Sequence, residues 1–352
     1  MKSHVARALT ILAFVLAAAF LVACGDDESS NGGSASSGGE ETAAPAKKIK
    51  VGLVTDIGGL NDRSFNQLAY QGIQRAQKEL GVEMRVITSK QNSDYIPNLT
   101  TLGRQKFDLV VANGFKMADA TEKVANAFPQ TNYAIIDYSQ AAMKSKPKNV
   151  QGLLFKEQES GYIVGYLAGL LAKDKGGKQV ISSVGGEKIP PVDHYIAGYM
   201  AGAKEANPDI KTLNAYSQNF VAPDKCKELA LNQIAEGSQI VFQVAGGCGL
   251  GALDAAKEKS MQGIGVDADQ AYLGAHILTS ALKKVDVAVF NTAKAVQDGS
   301  FQGGTDTVFG VKSGAAGFGK LNAEGAKYQD QLDEIQQKIA SGEIKDIPDT
   351  VK

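Results

Sequence analysis

The sequence predicts an α/β protein of two similar lobes, each built on a doubly wound parallel sheet. Three observations predict it. Apolar runs alternate with segments of helical periodicity from Lys50 onward, and the alternation restarts near Val180. Small or polar residues gather just after the runs, at Gly58-Gly59-Leu60-Asn61-Asp62, Asn113-Gly114, Asp137, Gly185-Gly186, Gly246-Gly247 and Asp267. Alternating strands and helices favour parallel sheets covered by helices. Such sheets bind ligands beyond the carboxyl ends of their strands.

The elements follow in order. Lys50–Val54 is a strand, and Phe65, Leu68, Ala69, Ile73 and Ala76 give the next segment one apolar helical face. Val82–Ile87 alternates apolar and polar residues, whereas Leu109–Ala112 is continuously apolar, as in a strand buried on both faces. A helix to Phe128 follows, then the strand Tyr133–Ile136 ending at Asp137, and a strand at Val150–Phe155. Ser160–Ala172 is Gly- and Ala-rich, which reads as a tightly packed helix. In the second series the strands are Val180–Val184, Lys211–Tyr216, Ile240–Val244, Ile264–Val266 and Ile277–Leu282. Its helices are Val192–Glu205, one from Pro223 to Glu236, Leu253–Lys259, Val285–Val296 and Tyr328–Ile339. Pro223 suits a first helical position.

The amino-terminal residues point to export. Lys2 and Arg7 precede an apolar stretch from Ala8 to Ala23, about 16 residues and short for a membrane span. A basic start, a short apolar core and small residues before a cut mark a secretory signal, here residues 1–23. Leu21-Val22-Ala23-Cys24 resembles a bacterial lipobox, which implies that Cys24 is lipidated and anchors the chain to the membrane. Residues 24–47 are Gly, Ser and acid with almost nothing apolar, a composition that does not fold. As a flexible tether they span roughly 25–30 Å.

Charge and motifs exclude several functions. The formal net charge is −1, so there is no basic footprint for a nucleic-acid polymer. Gly247-Cys248-Gly249-Leu250-Gly251-Ala252 matches a dinucleotide fingerprint, but it falls late in the second series instead of at a first βα turn. Gly314–Leu321 nearly spells a phosphate loop, but Leu321 replaces the hydroxyl residue. No Cys/His cluster has metal spacing, no G-x-S-x-G elbow occurs, and no cofactor is called for. His194 falls between the apolar positions Val192 and Ile196, so the expectation is a solvent-exposed ring.

In the segment after the first strand, Asn61, Asp62, Phe65 and Asn66 are candidate ligand contacts. Each also has a plainer reading. Asn61 can cap the helix, Asp62 suits the first turn electrostatically, and Phe65 fits the apolar face. Asp137 and Asp267 are harder to dismiss, because each follows a buried-looking run where a lone charge is costly. Cys226 and Cys248 are the cysteines left beside Cys24. In an exported chain they can pair, bracing one wall of the site, or remain as buried thiols.

Thr55–Gly72 resembles the first strand–helix segment of the basic membrane protein family, the substrate-binding lipoproteins of ABC importers. The likeness continues in order through GFKMADATEKVA, YAIIDY, SGYIVGYLAG, VFQVAGGCGLGALDAAKEK, GVDADQ and LTSALKKVDVAV. It implies a type I periplasmic-binding fold whose two lobes are joined by crossing strands and close on a ligand. The crossings are expected near 150–156, 268–278 and 300–308. That places 48–152 and 270–302 in the first lobe, and 153–269 and 303–352 in the second. The resemblance further implies a purine nucleoside held between Phe65 and Phe220, its base met by Asp137 and its ribose by Asp267 and Lys283, with Lys284 as the competing neighbour. Gly247 would lie in a loop close to the ligand. Cys248 departs from the small hydroxyl residue the family often carries there. The implied partners are an ABC permease and its ATPase. A receptor for a pentose-type sugar or another small polar ligand is the alternative on the same fold.

Overall fold

The structure, a computed structural model, describes residues 48–352. The expected signal, Cys24 and the tether lie outside these residues. The first series is β1 (Lys50–Thr55), α1 (Phe65–Leu80), β2 (Glu83–Thr88), α2 (Tyr95–Arg104), β3 (Leu109–Asn113), α3 (Ala118–Ala127), β4 (Asn132–Ile136) and β5 (Val150–Phe155). The second is α4 (Glu157–Lys175), β6 (Val180–Gly185), α5 (Pro190–Ala206), β7 (Lys211–Tyr216), α6 (Pro223–Ala235), β8 (Ser238–Val244), α7 (Gly246–Glu258), β9 (Gln262–Asp267) and β10 (Ile277–Lys283). The chain closes with α8 (Val285–Asp298), β11 (Thr305–Phe309), β12 (Ala316–Phe318) and α9 (Gln329–Ser341).

Two six-stranded sheets result, with orders β11-β5-β4-β3-β1-β2 and β12-β10-β9-β8-β6-β7. Position by position the two orders are the same. The strands of the first sheet are all parallel. The second is parallel except for β12, which runs against β10. The central strands are buried along their length, Leu109–Asn113 and Val180–Gly185 among them, because helices cover both faces.

The first crossing, at Lys156, falls within the expected 150–156, and the other two fall later than the sequence predicts. β5 stays in the first sheet to Phe155, and α4 after it packs on α5 of the second lobe. β10 belongs to the second sheet, so 270–283 lie in the second lobe, and the chain returns at Lys284 to place α8 against α1. β11 belongs to the first sheet, so 303–309 lie in the first lobe. A strand completes its ladder in one sheet before the chain passes over, which moves each boundary to the strand's far end. The crossings are tied together: Lys156 N donates to Phe309 O at 2.8 Å, and Lys284 N to Ala315 O at 2.8 Å. Phe155 and Phe309 stack there with ring centroids 5.0 Å apart.

One helix, α2, is absent from the sequence expectation, and another, α7, starts earlier than expected. α2 carries Pro97 as its third residue, where a missing N–H breaks no helical bond. α7 begins at Gly246 instead of Leu253, so Gly247 sits in a helix's first turn and not in a loop.

Candidate functional site

The carboxyl ends of both sheets face one cleft, which encloses about 660 Å³ of empty space including its mouth. Asp62, Phe65, Asn66 and Asp137 line it from the first lobe, and Phe220, Gly247, Asp267 and Lys283 from the second. Asn61 does not. It is exposed and borders a separate groove with Arg63 and Gln67, because the turn before α1 points it away from the cleft.

The start of α1 explains why Asp62 is buried. Its carboxylate accepts hydrogen bonds from the backbone N–H groups of Ser64 at 3.1 Å, Asn66 at 2.7 Å and Gln67 at 3.0 Å. It therefore caps the helix, satisfying donors that no helical carbonyl can reach. Burial raises its pKa, and those N–H bonds oppose the rise. Asn66 ties strand ends together: its Oδ1 accepts from Asp56 N at 3.1 Å and from Asn113 Nδ2 at 2.9 Å. The two residues hold the cleft wall, and their oxygens already have partners.

Lys283 is the centre of charge. Its ammonium lies 2.6 Å from Oδ1 of Asp137, across the cleft in the first lobe, and donates to Oδ2 at 2.7 Å. Only the Oδ2 contact has hydrogen-bond geometry, so Oδ1 is buried without a directed donor. Lys283 also donates to Glu157 Oε1 at 2.8 Å, and Glu157 Oε2 lies 3.0 Å from His194 Nδ1. His194 is thus half-buried against a carboxylate, not solvent-exposed as its spacing predicts. The Lys283 ammonium sits 5.1 Å from the Phe65 ring centre and 5.0 Å from that of Phe155. Burial acts against the charged amine, but Asp137, Glu157 and Asp267 raise its pKa, so it stays protonated. Burial raises Asp137, and Lys283 only partly offsets this.

Asp137 and Asp267 occupy matching places, after β4 and at the end of β9. Both take positive φ angles, 69° and 60°. Such a conformation is uncommon outside glycine and is enriched for Asp and Asn. It turns each carboxylate off the end of its strand towards the cleft. Asp267 Oδ2 accepts from Ser64 Oγ of the first lobe at 2.6 Å, and Oδ1 from Tyr195 OH at 3.1 Å. Burial raises its pKa, with Lys283, Ser64 and Tyr195 opposing. The lobes are also joined by Gln270 Nε2 donating to Arg63 O at 3.1 Å, and by Lys116 pairing with Glu187 at 2.7 Å.

The second-lobe wall is braced covalently. Cys226 of α6 and Cys248 of α7 form a disulfide with Cα atoms 5.6 Å apart. Cys248 N donates to Phe220 O at 3.0 Å, which ties the Phe220 loop to the same helix. The apolar remainder of the wall comes from Ile189, Pro191, Val192 and Val244.

Four further residues belong to the site. Asp56 lines the cleft and follows β1 as Asp137 follows β4, so the same signal marks it. Its Oδ1 accepts from Ile57 N at 2.6 Å and from the Tyr95 hydroxyl, and burial raises its pKa. Phe115 follows Asn113-Gly114 and lines the cleft, tilted against Tyr138 at 5.3 Å. Tyr195 and Glu157 carried no signal, because their spacing is that of ordinary helical positions.

The family model for PnrA-like ABC transporter substrate-binding proteins matches residues 49–350. The chain belongs to that family. Among relatives of this substrate-binding protein, a Pyrococcus abyssi sequence named an uncharacterized lipoprotein is 35% identical, covering 88% of this chain and 77% of its own. A Lactococcus lactis protein named ABC transporter nucleoside-binding protein BmpA is 32% identical over 84% of this chain and 88% of its own. A solved solute-binding protein of an Aeropyrum pernix ABC transporter superposes with a TM-score of 0.78 at 30% identity, covering 85% of this chain and 94% of that one. The substrate-binding protein thus has the type I periplasmic-binding fold of solute receptors.

Proposed function

We propose that the chain is the nucleoside receptor of an ABC importer, tethered outside the cell membrane through Cys24, and that it hands its ligand, purine nucleosides foremost, to a permease powered by its ATPase. The anchor rests on Leu21–Cys24 and on the lipoprotein name of the Pyrococcus abyssi relative. The nucleoside rests first on one observation: Phe65 and Phe220 enter a single cleft from opposite lobes, beside Asp137, Asp267 and Lys283.

Lobe closure brings the two rings onto the faces of a flat base. Stacking contributes about 1–3 kcal/mol per base. Asp137, with its Oδ1 lacking a directed donor, meets N–H groups on the base edge. Asp267 accepts from ribose hydroxyls, and Lys283, which has three N–H groups and two directed bonds, donates the third to a ribose oxygen. Hydrogen bonds to charged groups contribute about 1.5–3 kcal/mol each. Four acids line the cleft with Glu157 behind them, against the Lys283 amine. Phosphorylated ligands are therefore repelled, and the ligand is an unphosphorylated nucleoside.

The reading is tested by calorimetry and thermal shift against adenosine, inosine, guanosine, their 5′-monophosphates, and ribose and arabinose. Nucleosides should stabilise the protein, by about 2.7 kcal/mol at a hundredfold excess over Kd. Monophosphates should bind at least about a hundredfold more weakly, the two added charges acting at low effective dielectric. Stabilisation by pentoses alone would replace this reading with a sugar receptor.

A further inference from the structure

Four ionisable groups run in series through the hinge. Lys283 is the last residue of β10 before the chain crosses at Lys284, and Glu157 is the first residue of α4 after the crossing at Lys156. Glu157 uses one oxygen for Lys283, at 2.8 Å, and the other for His194, at 3.0 Å. Asp137 holds the far side of the ammonium from the other lobe. Side-chain exposure is 2% for Glu157, 3% for Lys283 and 5% for Asp137, but 29% for His194. His194 is therefore the most solvent-exposed member of the series.

We propose that His194 and Glu157 form a positioning relay behind Lys283, through which the charge on the imidazole sets the pH range over which the cleft holds its ligand. The relay deepens the nucleoside reading and rests on it for the affinity readout alone.

The physical reason is charge balance. Asp137, Glu157 and Asp267 surround Lys283, three acids to one amine. His194 is also faced by Lys283 and by Asp349 of the carboxyl-terminal tail. On its own helix, Asp193 is taken up by Lys188 and the Tyr216 hydroxyl, and Tyr195 points to Asp267. Burial works against a charged His194 ring, but Glu157 raises its pKa above the usual value. Burial tends to raise Glu157, yet Lys283 and His194 bring it below the usual range. A protonated His194 supplies a second cation to a cluster with excess acid. Asp137, lifted by its own burial, then remains ionised to lower pH. An ionised Asp137 is the form that accepts N–H donors from a ligand.

Adenosine and inosine binding to the full chain, followed by calorimetry from pH 5 to 8.5, tests the relay. Wild-type affinity should fall on the acid side. In His194→Gln, which keeps a hydrogen-bond donor but no charge, the fall should begin about half a pH unit or more higher. His194→Lys should restore the wild-type profile. A loss of affinity equal at every pH in His194→Gln, or an unmoved acid limb, assigns His194 a packing role and overturns the relay. A ligand-free measurement keeps the two readings separate: the Lys283 side-chain ¹⁵N resonance should shift with the His194 imidazole titration and stop doing so in His194→Gln. If it shifts while no nucleoside binds at any pH, the relay stands and the nucleoside reading falls. If it does not respond to His194, the relay is wrong even where nucleosides bind.

Discussion

The two lobes share one strand order but pack their matching helix pairs by opposite means. In the first lobe α1 and α8 meet through side chains, Ala69, Ile73 and Ala76 against Val285, Ala288 and Val289, with one close backbone approach at Gly72. In the second lobe α4 and α5 meet backbone to backbone. A Cβ on Gly165 would lie 2.1 Å from Tyr199 O, and one on Gly202 would lie 2.0 Å from Tyr162 O. The difference follows what each pair must position. α1 needs its first turn aimed at the cleft, and the Asp62 cap does that locally. The α4–α5 pair must bring Glu157 to His194 and Tyr195 to Asp267, so the distance between two helix axes becomes part of the site.

The comparison can be broken by exchanging what each lobe depends on. Ile73→Ala removes side-chain volume from the first pair and should lower stability by about 2–5 kcal/mol in denaturant unfolding. Gly202→Ala adds one methyl to the second pair and should cost about 1–3 kcal/mol. It should also weaken ligand binding, which Ile73→Ala should not do once the protein is folded. Equal binding by both variants would show that α4–α5 spacing does not reach the site. The rings test the cleft from each side. Phe65→Ala and Phe220→Ala should each reduce nucleoside affinity by more than about tenfold, the scale of one stacking contact. Wild-type affinity in either would remove that ring from the ligand.

Asp267 sharpens the comparison through pH. Its folded-state pKa is raised, chiefly by burial. The folded protein therefore holds this proton at pH values where the unfolded chain has lost it, and stability falls as pH rises from the ordinary Asp range through the raised pKa. Asp267→Asn should remove that slope from melting curves and stabilise the ligand-free protein near neutrality. It should weaken nucleoside binding more than free-base binding. Equal losses for both would take Asp267 away from the ribose. The smallest effect belongs to Lys116→Ala. The Lys116–Glu187 pair keeps 19% and 27% side-chain exposure, so its loss should change affinity less than about fivefold.

Local signals in the sequence suffice where neighbouring residues decide the outcome. Continuous apolar runs located β3, β4 and β8, and a carboxylate at a strand's end marked Asp137 and Asp267. The same rule, applied to Asp56, would have added it. Local pattern misleads where the deciding partner is remote. Val192, His194 and Ile196 look like a helix with an exposed polar residue, yet Glu157, from a helix 37 residues earlier, covers His194. Gly246–Gly251 reads as a loop, yet those residues form the first turns of α7, with Gly249 packed on Gln243 and Gly251 on Pro223. The second and third crossing points moved because hydropathy shows that a segment is a strand, not which sheet it joins.

By itself the sequence determined the α/β class, the repetition of the series, the parallel strands and the small or acidic residues at their ends. These properties follow from backbone geometry and hydrophobic period, which neighbouring residues dictate. The tertiary structure alone decided that Lys283 bridges Asp137 and Glu157, that Asp62 is a helix cap and not a free carboxylate, and that Asn61 faces away. Those outcomes depend on which groups meet once two sheets share a hinge. Buried charge is tolerated only where partners from distant parts of the chain arrive within hydrogen-bond distance, and no local pattern records that arrival.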